Sequence, residues 1–257
     1  MTSGRSTERR GWERDELLLA LRVYFQNPFG RLHATNPEIV QLAEEIGRTP
    51  SAVAMKASNF ASLDPDLMAR GIKGLRGASQ ADRALWAQAH DDLEWFAIES
   101  ELARIRVSGE DQTQTAIVAP SGETQVEVTI NARRVQTFFR SSVLAAYENS
   151  CAVTGLTSAA LLNAGHIIPW SVDEGRRADP SNGIALNALH DRAFDRGLIT
   201  FDSSFRMVVS SKLREGPISN FHRVMLFDFE GEPLRIPDQH PPDPQALEYH
   251  RESVFQG

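Results

Sequence analysis

Two histidines and an asparagine stand at intervals that allow joint chemistry. His166 closes an apolar run, Leu161–Trp170, that reads as a strand ending in His-Ile-Ile-Pro. Asn182 sits in the turn cluster Asp179-Pro180-Ser181-Asn182-Gly183. His190 falls inside Ile184–Phe194 (IALNALHDRAF), whose spacing predicts a helix with His190 and Phe194 on one face. A neutral imidazole can take a proton from water near neutral pH or ligate a metal ion, so strand, His, loop, Asn, helix, His is a workable catalytic order. Each residue also has a plainer reading: His190 as a satisfied core histidine, His166 as a strand end. Cys151 beside His166 raises thiol catalysis, but an apolar run around Cys151 predicts burial instead.

The flanks narrow the choice. Cys-Ala-Val-Thr-Gly (151–155) reads as a short strand into a glycine turn. His-Ile-Ile-Pro follows at His166, Asn-Gly-Ile-Ala-Leu at Asn182, and Leu-His-Asp-Arg-Ala-Phe-Asp-Arg-Gly at His190. Together these resemble the HNH nucleases of the ββα-metal endonucleases, in the branch of HNH restriction enzymes. The likeness runs from about Arg133 to Leu213, and Leu247–Phe255 is similar to that branch's tail. It implies metal-dependent DNA cleavage, with His166 as general base, Asn182 bracing the loop that orients it, and His190 ligating one divalent ion, Mg²⁺ or Mn²⁺. Many relatives carry Asp or His immediately before the first His; here Gly165 stands there. The second ligand would then be Asp191, Asp195, a substrate phosphate or water, with neither aspartate well placed beside His190 on an ideal helix. Arg176, Arg177, Arg192 and Arg196 are candidate phosphate contacts, with solvated loop positions as the alternative.

The elements that must position these residues are legible as patterns. Arg133–Glu148 predicts an amphipathic helix, and Leu198–Phe201 with Met207–Val209 a hairpin. Upstream, Trp12–Phe25 reads as a helix. Glu38–Ile46 follows Asn36-Pro37 and ends at Gly47, and Ser51–Phe60 follows Thr49-Pro50. Two capped helices around a glycine turn have the layout of a helix-turn-helix, which would present Arg48, Ser51, Lys56 and Asn59 to DNA. A plain helical hairpin is the competing reading. Ile72–Ser79 is a basic, glycine-containing loop that either tracks phosphates or simply connects. Ala81–Ile105 reads as one long helix, and the polar Ser108–Gln125 as a linker with a short strand at 116–118.

The whole chain of 257 residues carries a net charge of −7, which at face value opposes nucleic-acid binding. The charge is unevenly spread. Segments 1–76 and 129–229 each come out at +2, while 77–107, 108–128 and 230–257 are acidic. One cysteine excludes a cysteine-built structural zinc site. No apolar run is long enough to span a bilayer and no secretory signal opens the chain, so the expected location is cytoplasmic.

The combined expectation is an α+β protein. A helical DNA-binding or sensing domain (1–107) and a linker (108–128) precede an HNH endonuclease domain with a C-terminal tail (129–257). The function expected is restriction of foreign, including modified, DNA. The substrate is double-stranded DNA, and a homodimer would supply one active site per strand. Two alternatives stand beside it: a non-catalytic helix-turn-helix regulator with a decayed HNH domain, and a toxin-like nuclease.

Overall fold

The computed structural model describes residues 10–72, 74, 75, 77–109 and 123–257. It has the expected α+β composition, with helices ahead of two small antiparallel sheets. The helical half comprises α1 (Arg14–Phe25), α2 (Pro37–Glu45), α3 (Pro50–Ala61), α4 (Pro65–Ala69), α5 (Gln80–Asp91) and α6 (Leu93–Ser108). The predicted caps form: Asn36 accepts from the backbone N–H of Glu38, and Thr49 from that of Ala52. The single helix expected over 81–105 is instead two. Asp92 leaves helical geometry and its side chain accepts from the Trp95 N–H, starting a new helix where the sequence shows no glycine or proline.

The second half begins with α7 (Glu123–Ala146) and continues through β1 (Leu162–His166), β2 (Gly183–Asn187) and α8 (Ala188–Asp195). The hairpin β3 (Ile199–Phe201) and β4 (Met207–Val209) follows, then α9 (Asn220–Met225) and α10 (Pro244–Ser253). Two expectations change here. Cys151–Gly155 forms turns rather than a strand, with Gly155 N–H bonding Cys151 C=O at 2.9 Å. Ile184–Phe194 divides into β2 and α8. Ile184, Ala185 and Leu186 pair with β1 and are fully buried, and Asn187 caps α8 through the Leu189 and His190 N–H groups.

The division into 1–107, 108–128 and 129–257 is not matched by the packing. Ser108 closes α6 and 123–128 already belong to α7, while the strand expected at 116–118 lies outside the described residues. Val135 and Phe138 of α7 pack into the helical half's core, with Phe138 edge-on to Phe25 and Phe96. One residue on, Phe139 and then Val143 enter the core of the sheet half. A 24-residue helix thus serves both cores.

The basic residues assigned to a DNA-facing α3 point inward. Lys56 is buried and reaches both carboxylate oxygens of Asp82 at 2.8 and 2.9 Å. Arg48 pairs with buried Glu16 at 2.7 Å and lies over the Trp12 ring. Asn59 is half-buried against Gly77. Only Ser51 of the four is exposed, beside the exposed Met55. The helix-turn-helix layout exists, but its second helix offers no cation to a phosphate. Buried Asp82 would be left without a cation if Lys56 turned outward, and Arg48 joins Arg10 in neutralising buried Glu16, which explains why those side chains turn inward. Lys73 and Arg76 of the basic loop lie outside the described residues.

Candidate active site

β1 and β2 pair antiparallel with Gly165 opposite Ile184 and His166 opposite Gly183. Gly183 is required by the approach of α7. A Cβ there would stand 2.4 Å from Val143 Cγ2 and 2.8 Å from Phe139 Cζ. That closeness brings Phe139 flat against the His166 ring, centroids 3.6 Å apart and planes 9° from parallel, while Trp170 meets it edge-on.

The imidazole is held in plane by these rings and in rotation by one hydrogen bond. His166 Nε2 lies 3.1 Å from the Arg177 carbonyl oxygen. A carbonyl only accepts, so Nε2 carries the proton and the neutral ring keeps its lone pair on Nδ1. Burial pushes the His166 pKa below the ordinary histidine value, against the opposing pull of the Arg177 carbonyl and the Asp179 charge. Burial therefore favours the unprotonated, basic form.

Asn182 is almost fully buried and spans the same loop. Its Oδ1 accepts from the Ile168 N–H at 2.8 Å, and its Nδ2 donates to Ile168 C=O at 3.1 Å and Arg176 C=O at 3.3 Å. It bonds the backbone at Ile168, just after His166, and at Arg176, just before the anchoring Arg177, and not the imidazole.

His166 opens into a cleft of about 650 Å³ that also receives Gln136, Arg140, Asn163, Asp191 and Asp195. Asp191 and Asp195, four residues apart on α8, share its helical face. Burial raises the Asp191 pKa, opposed by the Asn163 hydrogen bond and by Arg140 and Arg192. Burial also raises that of Asp195, and the neighbouring Asp191 charge adds to it. Asn163 Nδ2 donates to Asp191 Oδ2 at 2.7 Å. Arg140 on α7, which sequence patterning did not single out, donates to Leu162 C=O at 2.7 Å beside this pair.

His190 is not in the cleft. It is completely buried, with Nδ1 2.8 Å from Asn187 Nδ2, Nε2 2.7 Å from Met225 C=O, and its ring edge-on to Phe229. Both ring nitrogens are engaged, so the expectation that His190 ligates the metal is corrected. Because β2 runs through Asn187 and α8 starts only at Ala188, His190 faces the core and the adjacent Asp191 faces the cleft. Arg176 and Arg177 are likewise committed. Arg176 pairs with Asp179 at 3.0 Å and Asp243 at 2.7 Å; Arg177 pairs with Glu174 at 2.9 Å and lies over Trp170. Arg192 and Arg196 are exposed on α8 and at its end.

Two hard carboxylates in one cleft, one raising the pKa of the other, form a donor set suited to a hydrated oxygen-seeking cation. Magnesium characteristically binds through one or two carboxylates plus waters and substrate phosphate. Among the described residues no three His, Cys, Asp or Glu side chains converge on one point.

Residues 151–202 match the family model described as HNH endonuclease. The chain carries an HNH domain. An HNH domain implies a nuclease, a phosphodiester hydrolase with DNA as substrate, and HNH nucleases generally use a divalent metal ion. None of the curated proteins matches the chain. The HNH match covers β1, β2, α8 and β3, and leaves α7 and α10 outside it. Among the described residues no helix is long and apolar enough to cross a membrane.

Proposed function

We propose that the chain is a metal-dependent DNA endonuclease of restriction type, acting on foreign and including modified DNA. The observation that carries the catalytic part is His166. Its Nε2–H is tied to the Arg177 carbonyl, so Nδ1 remains the acceptor in a cleft shared with Asp191 and Asp195. In this reading His166 takes the proton of the attacking water at Nδ1. Asn182 holds the loop that supplies the Arg177 carbonyl. Asp191 and Asp195 would hold one Mg²⁺ or Mn²⁺, which when bound neutralises the phosphate and the leaving 3′ oxygen. Asn163 fixes the Asp191 carboxylate, and Arg140, Arg192 and Arg196 supply positive charge around the phosphates. His190 serves as a core residue.

The restriction role rests on the sequence resemblance alone. A single HNH site cuts one strand, so duplex cleavage calls for two copies, and a symmetric dimer is part of the proposal.

The test is incubation of plasmid and of modified phage DNA with wild type, His166→Ala and Asp191→Ala, in Mg²⁺ or Mn²⁺. Wild type should nick or cut, and His166→Ala should lose about 10²–10⁴-fold in rate. A wild-type protein that cleaves none of these DNAs overturns the catalytic reading. Undiminished cutting by His166→Ala overturns the base assignment.

A further inference from the structure

We propose that Asp243, outside the segment that matches the HNH family, is a positioning residue for His166; this rests on the reading of His166 as the base. The hydrogen bond that sets the His166 tautomer comes from a carbonyl in a loop, and a loop carbonyl is only as fixed as its neighbours. Arg177 is tied to Trp170 and Glu174 on its own side, and its neighbour Arg176 ties the loop to Asp179 and to α10. Its guanidinium bonds Asp179 Oδ2 through Nε and Nη2 at 3.2 and 3.0 Å, and Nη2 reaches Asp243 Oδ2 at 2.7 Å. Arg176 and Asp243 are each about a quarter exposed or less, which makes the pair firmer than a surface contact.

Asp243 works at three points. Its backbone N–H donates to Ser181 C=O at 2.9 Å, next to Asn182. Its Oδ1 accepts from the Gln245 N–H at 2.8 Å and so caps α10. Its Oδ2 takes Arg176. The start of α10 is thereby tied to both ends of the segment 176–181, from which the Arg177 carbonyl and Asn182 act. α10 itself is anchored in the core: buried His250 lies flat on Phe194 of α8, centroids 3.7 Å apart, with Nε2 3.1 Å from Phe194 C=O. The C-terminal helix thus joins the loop carrying the base's hydrogen-bond partner to the helix carrying Asp191 and Asp195. Removing the Asp243 charge leaves Arg176 held by Asp179 alone, loosens the 176–181 segment and with it the Arg177 carbonyl, and allows His166 to exchange its Nε2–H tautomer for the Nδ1–H form, which has no lone pair at the working nitrogen.

The test compares full-length wild type with Asp243→Asn, whose Oδ1 still caps α10, Asp243→Glu, and Asp238→Asn as a control on an exposed ion pair with Arg70. Nitrogen-15 NMR of the imidazole reads the tautomer, thermal melting reads the fold, and plasmid cleavage reads kcat and KM. In Asp243→Asn we expect melting within a few degrees of wild type and a mixed His166 tautomer. We expect kcat about tenfold lower with KM for DNA within twofold. Asp243→Glu should restore part of both signals, and Asp238→Asn should match wild type. A folded Asp243→Asn that keeps the pure Nε2–H tautomer overturns the proposal, whether or not its rate falls. If wild type proves inactive on every DNA, the nuclease reading fails while the tautomer comparison still decides the positioning role.

Discussion

Asp191 occupies the space that a side chain at Gly165 would need: a Cβ there would stand 2.7 Å from Asp191 Oδ1, well inside van der Waals contact. Asp191 cannot simply swing aside, because Asn163 holds its other oxygen. Where the HNH resemblance implies an acidic or histidine side chain before His166, this chain has Gly165, and Asp191 fills the space from α8. Gly165→Ala should therefore displace the carboxylate without unfolding the hairpin. We expect cleavage and apparent metal affinity to fall about tenfold or more, with melting nearly unchanged. Metal titration of cleavage checks this, and wild-type metal affinity in the variant would refute it.

His190 and Asp191 should separate stability from activity. His190→Ala empties a fully buried site, takes the shortest partner from the Asn187 amide and leaves the Met225 carbonyl without its imidazole donor, a lost partner of this kind costing about 1–3 kcal/mol. Its melting temperature should drop sharply. Asp191→Ala should keep its fold and lose cleavage. Denaturation beside cleavage assays distinguishes them; a stable, inactive His190→Ala would reinstate His190 as a ligand.

The pH dependence has two parts. His166 has its pKa lowered chiefly by burial, so its basic form persists below the ordinary value of 6.5. The acid limb of the rate profile should lie below that value and follow His166. Buried His250 is lowered to about 4, again chiefly by burial. Between pH 6.5 and about 4 the unfolded chain binds a proton at this position that the folded chain does not. The contribution is therefore complete above 6.5 and lost as pH falls toward 4. Melting temperature measured across this range should decline on acidification, and His250→Gln should flatten the decline.

Cations that face solvent should differ from those that face acids. Arg192→Ala and Arg196→Ala should each lower the salt slope of DNA binding by about one, with melting unchanged. Lys56→Ala strands buried Asp82 and should destabilise by about 3–5 kcal/mol while leaving the salt slope alone. Binding isotherms at several salt concentrations decide both.

His166, the turn at Asn182, and the α1, α2, α3 and β3–β4 elements were legible because caps, prolines and apolar spacing are local signals. The start of α8 was not. Ile184–Leu186 has an apolar run too short to tell buried strand from helix. Reading it as helix hid where α8 begins; the ligand role of His190 followed from the HNH resemblance by position, whereas the structure puts His190 in the core and Asp191 in the cleft. The i, i+4 pair Asp191 and Asp195 was the available signal for the cleft face. Arg48 and Lys56 were misplaced for another reason: sequence marks a cation, but not the buried Glu16 or Asp82, many residues away, that draws it inward.

The helix α7 gives one core Val135 and Phe138 and the other Phe139 and Val143. Neither hydrophobic assembly is complete without it, so the chain should melt in a single transition rather than two. It also works as a common axle: Phe139, the ring beneath His166, and Phe138, wedged against Phe25 and Phe96, are consecutive residues. Any strain that turns the helical half about this axle arrives at the imidazole as a tilt.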